Sequence, residues 1–351
     1  MFRVWQSGHV LRDAIGRWQH ECDVALGAVR EAAVLARSLR QQIGASAIRK
    51  ADQSPVTVAD FAVQALVAHR LARAFPDDPL VAEEDAAWLR SPEARPTFQS
   101  VVEALHRVEP DLSPDRVFEA IDRGSGAPGE RFWTLDPVDG TKGFVRGDHY
   151  VVALALVVRG RVELGLMGCP QLSLMERPAG IVGSIVYAVR GQGAFCASMV
   201  EGKITRLAVS HVRAPRRARV LRSFEAEHID QTTFDHVLRT LRVEVAPTLM
   251  DSQAKHAMVA AGRADLLIRL PAAEAYCEKI WDQAAGALVI EEAGGRVTDR
   301  HGKPLDFACG RTLARNVGII ASNGRLHEAV IDALRTRGVV SDPDPDASSG
   351  R

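Results

Sequence analysis

Apolar residues recur at three- and four-residue steps from Trp18 to Ile43, with Cys22, Ala25, Leu26, Val29, Ala33 and Ala36 on one face. That spacing predicts an amphipathic helix, and Gly44 supplies its stop. A short extended piece, Ser54 to Asp60, leads into a second helical pattern. There Asp60 takes the N-cap position, Val63, Leu66, Val67 and Leu71 point inward, and Pro76 ends the run. Between Ala86 and Arg131 the rhythm loosens around Pro92, Pro96, Pro110, Pro114 and Pro128. This region reads as an insertion carrying a helix or two on the surface.

After residue 131 the period changes. Phe132–Leu135, Val151–Val158, Val162–Met167 and Ile185–Val189 are strand-like, and Arg159-Gly160-Arg161 makes a hairpin connection. Short turns between them predict an antiparallel sheet. Beyond about Val212, strand and helix alternate. Val220-Leu221, Val243–Ala246, Leu266–Leu270 and Val317–Ala321 read as strands. Gln231–Leu241, Ser252–Ala261, Ile280–Ala293 and Arg325–Leu334 read as helices, the third stopped by Gly294-Gly295. The expected division is an α+β unit at 18–214 with a variable insertion at about 86–131, an α/β unit at 215–338 and a disordered tail at 339–351.

Composition narrows the classes. The chain has 351 residues, 46% apolar and 25% charged, enough for a sizeable core. Its 44 Lys and Arg balance 44 Asp and Glu, and it has five Trp and three Tyr. Those numbers argue against gripping nucleic acid through a basic, stacking-rich groove. The five cysteines are scattered with no CxxC pair, which suits a reducing compartment. No apolar run approaches the ~20 residues of a membrane span, and Met1–Arg17 lacks a signal-peptide core. A cytoplasmic enzyme acting on a small molecule is the default.

The densest chemistry lies at Trp133-Thr134-Leu135-Asp136-Pro137-Val138-Asp139-Gly140-Thr141. An apolar strand ends in two aspartates aimed at one point, followed by a glycine that admits close backbone approach. Carboxylates bind hard divalent cations, and N–H groups at a helix start bind phosphate. Taken alone, such a pair is more often two capping aspartates at a strand–helix junction. A second acidic group, Glu83-Glu84-Asp85, follows a strand-like segment, and a third acid, Asp282, follows Trp281 at the expected start of a helix.

In this order, Asp60, Glu83-Glu84, Asp136-Pro137-Val138-Asp139-Gly140-Thr141 and Trp281-Asp282-Gln283-Ala284-Ala285-Gly286 resemble the lithium-sensitive, magnesium-dependent phosphomonoesterase superfamily. That group includes inositol monophosphatases, inositol polyphosphate 1-phosphatases and 3′(2′),5′-bisphosphate nucleotidases, and the likeness covers about 18–334. The resemblance implies a layered α/β/α/β/α sandwich of the inositol monophosphatase and fructose-1,6-bisphosphatase type. It also implies two to three Mg²⁺ ions: one on Glu83, Asp136 and the Val138 carbonyl, a second on Asp136, Asp139 and Asp282, and a weaker third near Glu83. Thr141, hydrogen-bonded to Asp60, would orient the attacking water, and the N–H groups of Gly140 and Thr141 would receive the scissile phosphate.

Three stretches look closest to the nucleotidase branch: Lys142-Gly143-Phe144, Met250-Asp251-Ser252-Gln253-Ala254-Lys255, and Tyr276-Cys277-Glu278-Lys279-Ile280-Trp281-Asp282. Here the resemblance assigns Ser252, Lys255 and Arg269 to the phosphate that is not cleaved, and His228 to a substrate-facing loop. The implied activity is removal of the 3′-phosphate of adenosine 3′,5′-bisphosphate, and of its sulfated form, to give AMP in sulfur metabolism. An inositol phosphate phosphatase is the alternative. Neither the oligomeric state nor the adenine contacts follow from the sequence.

Overall fold

The computed structural model describes residues 16–43, 48–49, 55–56, 58–175, 183–199, 204–224, 230–272 and 276–338. Gly44, His228 and the tail after 338 lie outside these residues, as does the first stretch through Ile15. No described helix is long and apolar enough to cross a membrane.

The elements run α1 (Gln19–Ile43), β1 (Ile48–Arg49), β2 (Pro55–Val56), α2 (Val58–Ala74), β3 (Leu80–Ala82), α3 (Arg95–His106), α4 (Pro114–Asp122), β4 (Arg131–Asp139), α5 (Thr141–Arg146), β5 (Val151–Val158) and β6 (Arg161–Cys169). They continue with β7 (Ser184–Val189), β8 (Gly193–Ser198), β9 (Thr205–Arg206), β10 (Val220–Arg222), α6 (Gln231–Thr240), β11 (Thr248–Leu249) and α7 (Ala254–Ala260). The last are β12 (Leu266–Arg269), α8 (Ala284–Glu292), β13 (Arg296–Thr298), β14 (Ile319–Ser322) and α9 (His327–Thr336).

Strands β3 to β9 form a seven-stranded sheet in chain order. It is antiparallel except at its edge, where β3 joins β4 in parallel. Both sides of this sheet are buried, so β5 reads as a continuous apolar run whose alternate residues enter different cores. Val152, Leu154 and Leu156 pack against α1 and α2. Val151, Ala153, Ala155 and Val157 pack toward α7, α8 and the inner face of a second sheet ordered β11-β10-β12-β14-β13. The outer face of that sheet, through Val220, Leu266, Ile268 and Ile320, covers α6 and α9. The layers are therefore α/β/α/β/α, as the resemblance implied.

Three expectations change. The 86–131 region is more than a surface insertion: Leu89, Val101, Leu105, Val117 and Ile121 enter the core with α2. Pro92, Pro96 and Pro114 start helical turns rather than break them. Pro114 opens α4, capped by Ser113, whose hydroxyl accepts from the Arg116 N–H. Val243–Ala246 is not a strand, because Arg242 turns left-handed (φ 52°) and the Val243 N–H returns to the Leu238 carbonyl, closing α6. The nearby strand is β11 instead. Finally, α2 begins at Val58, so Asp60 sits inside the first turn, fully buried, rather than at the N-cap.

Candidate active site

Strand β4 delivers the central acids. It keeps pairing with β5 through Asp136 and again at Asp139, with the register shifted between them. The bulge re-aims the strand end. Gly140 follows at φ 87°, and a Cβ there would stand 2.9 Å from the Ser252 Cβ. Ser252 is itself left-handed, at φ 62°. Two tight turns from the two sheets thus meet face to face, and only glycine fits on the β4 side. The site lies where they meet.

Around this point the carboxylates converge. Oxygens of Asp60, Glu83 and Glu84 lie within 4.8 Å of one another. Burial first, then the charges of Glu83, Asp139, Asp282 and Asp60, holds the Asp136 carboxyl well above the ordinary carboxylate range. Asp139 is raised by burial against the opposing pull of Lys255, the Gln253 N–H and Arg269. Asp282 is raised by burial and by Asp139, and its carboxyl reaches that of Asp136. Asp136 Oδ1 is buried with no hydrogen-bond partner among the described residues. Acids this close repel one another when ionised, and a buried acceptor without a donor is costly. Hard divalent cations relieve both, so the donor set fits such ions.

Asp282 does not start a helix as expected. It lies in the turn ahead of α8, which begins at Ala284. Thr141 also differs from expectation: its hydroxyl donates to the Val138 carbonyl at 3.1 Å rather than to Asp60. Because α5 begins two residues after β4 ends, Oγ1 folds back onto the strand end. A carbonyl oxygen has two lone pairs, so Val138 keeps one available.

The cationic side comes from the second sheet. Strands β10, β11 and β12 are mutually parallel, and their C-terminal ends lead to Phe224, Ser252 and Arg269. Ligands gather at that edge of such sheets. Ser252 precedes α7 rather than opening it. Lys255 is buried, donates to the Met250 carbonyl at 3.1 Å and faces Asp139. Burial pulls its ammonium down to about 8. Arg269 pairs with Glu278 at 2.7 Å and donates to the Tyr276 hydroxyl at 3.1 Å. Although burial opposes its charge, Glu278, Tyr276 and Asp282 raise it further. Neither cation is a stray surface charge.

Two buried glutamines frame the site and escaped sequence reasoning. Gln64, one turn after Asp60, donates to the carbonyls of Glu84 (2.6 Å) and Ile121 (2.9 Å) and accepts from the Glu84 N–H (3.0 Å). Gln253 donates its N–H to Asp139 and its amide to the Trp281 carbonyl (3.0 Å), and accepts from the Gly286 N–H (2.9 Å). One residue, through its main-chain N–H and its side-chain amide, thus ties the Asp139 and Asp282 segments together. The signal was there for Gln64, a single polar residue inside the apolar run Ala62–Ala68. A further pair, Arg146 stacked 4.6 Å over the exposed Phe224 and bonded to Asp251, stands beside Ser252.

Comparison with known proteins agrees. The model of the inositol monophosphatase family matches residues 18–338. The 3′(2′),5′-bisphosphate nucleotidase of Schizosaccharomyces pombe is 40% identical over 332 residues, spanning 89% of this chain and 94% of that one. A protein of the same name from Oryza sativa is 38% identical over 347 residues, spanning 92% and 97%. Among solved structures, an IMPase of Thermotoga maritima superposes with a TM-score of 0.61 at 24% identity, covering 90% of this chain and 97% of that one. CysQ of Bacteroides thetaiotaomicron gives 0.58 at 20% identity, covering 88% and 99%. At such identities these two speak for the fold alone.

Proposed function

The chain belongs to the inositol monophosphatase family, a generally metal-dependent group, and on that premise we propose that it is a Mg²⁺-dependent 3′(2′),5′-bisphosphate nucleotidase. It removes the 3′-phosphate of adenosine 3′,5′-bisphosphate to give AMP and phosphate. One observation carries this reading: a cluster of acids and a buried lysine–arginine pair lie side by side, joined by the bond from the Gln253 N–H to Asp139. A monophosphate needs only the acids. A second phosphate gives Ser252, Lys255 and Arg269 a ligand.

Glu83, Asp136, the Val138 carbonyl, Asp139 and Asp282 would hold the Mg²⁺ ions. When bound, such ions neutralise phosphoryl charge and activate water for in-line attack. The chain does the rest. The N–H groups opening α5, at Gly140 and Thr141, orient the scissile phosphate. Thr141, fixed on Val138, directs its oxygen toward the attacking water, while Asp60 takes up the released proton. Lys255 and Arg269 fix the 5′-phosphate, so the ribose 3′-oxygen is presented at one depth.

Comparing kcat/KM for adenosine 3′,5′-bisphosphate, its sulfated form, inositol 1,4-bisphosphate and inositol 1-phosphate tests the reading. The nucleotides are expected to lead. A preference for either inositol phosphate would replace this assignment with the inositol branch.

A further inference from the structure

The acids come from opposite sides of the cleft, and one residue touches the chain immediately before two of them. The Arg311 guanidinium donates to the carbonyl of Ala82, the residue preceding Glu83. It also donates to the carbonyls of Gly124 (3.2 Å) and Gly126 (3.4 Å), the loop that runs along the other edge of β3. Its guanidinium carbon lies over the ring of Trp281, 4.9 Å from the ring centre, and Trp281 is the residue preceding Asp282. The Arg311 main chain takes part as well: its carbonyl accepts from the Ile280 N–H at 3.2 Å, and the next residue bridges Lys279.

We propose that Arg311 is a positioning residue of the metal centre, setting the separation between Glu83 and Asp282 from behind. The inference rests on reading those carboxylates as cation ligands. Its chemistry follows from the fork of donors on guanidinium, which reaches several carbonyls at once while its π-face stacks on indole. Lysine offers a point charge and cannot satisfy this geometry. With Arg311 truncated, the Ala82 carbonyl and the indole lose their common anchor, and Glu83 is free to drift from Asp282. Outer supports of this kind are worth about 10–100-fold in metal affinity.

The test is calorimetric titration of the full chain with Mg²⁺ alone, without substrate, for the native protein, Arg311→Met and Arg311→Lys, with melting temperatures alongside. Arg311→Met is expected to weaken Mg²⁺ binding about 10–100-fold and Arg311→Lys to weaken it less. Native Mg²⁺ affinity in Arg311→Met overturns the proposal, even if its melting temperature falls, since the residue is then a structural clamp only. Should Arg311→Met fail to fold, Arg311→Lys decides, and native affinity in that variant overturns it. Because no nucleotide is present, failure here is separate from failure of the substrate assignment.

Discussion

The two sides of the cleft solve opposite electrostatic problems. On the β3–β4 side, acids of one sign crowd together with Asp136 Oδ1 left without a donor among the described residues. On the β10–β12 side, each cation already has a resident oxygen partner: Met250 for Lys255, Glu278 and Tyr276 for Arg269. One side carries acids that repel one another, whereas the other is already paired within the protein. The difference teaches that chemistry and substrate choice are separable here, and each can be attacked alone.

The sharpest break is Asp136→Asn, which removes the shared carboxylate. Turnover in steady-state assays is expected to fall by more than the ~10–100-fold that outer supports are worth; a native kcat in Mg²⁺ would refute the shared role. On the cationic side, Lys255→Ala is expected to raise KM for adenosine 3′,5′-bisphosphate by ~10–100-fold, the worth of a charged hydrogen bond, with a monophosphate changed by less than about two-fold. Equal losses on both substrates would place Lys255 in the chemistry instead.

Acidity sharpens the contrast further. Lys255 holds its proton below about 8, so KM for the bisphosphate is expected to climb as pH rises through that value, by up to ~10-fold per unit. A profile flat to pH 10 would exclude the lysine from phosphate binding. The acids behave in the opposite sense toward stability. Their folded pKa values are raised, reaching about 7 for Asp282, so the metal-free fold is favoured at low pH and loses stability as pH rises from the ordinary carboxylate range through those values. Added Mg²⁺ is therefore expected to raise the melting temperature more at pH 8 than at pH 5, and a constant increment would contradict the acid cluster. At the seam the expected effect is on stability alone. Gln253→Ala strands the Trp281 carbonyl and Gly286 N–H and costs about 2 kcal/mol or more in denaturant unfolding.

Much of this was legible in the residues. The run Val151–Val158 coincides with β5 to the residue, since a strand buried on both faces has no polar interruptions to blur it. The acids singled out in the four segments lie close enough to act on Asp136. What stayed hidden depended on distant partners. Periodicity could not say that Pro92 and Pro114 begin turns of helix, that Val243 closes α6, or that β8 extends the sheet. Nor could it choose a partner for the Thr141 hydroxyl, which is decided by a backbone carbonyl three residues back. The two framing glutamines act across 20 and 28 residues or more, out of reach of any local pattern.

The opposed turns at Gly140 and Ser252 carry a consequence for engineering. With no room for a carbon at Gly140 against the Ser252 Cβ, any side chain placed at 140 needs position 252 to give way, so the first can vary only together with the second. Chimeras joining the β4 half of one relative to the β11 half of another should therefore inherit this pair together, or tolerate a wider cleft.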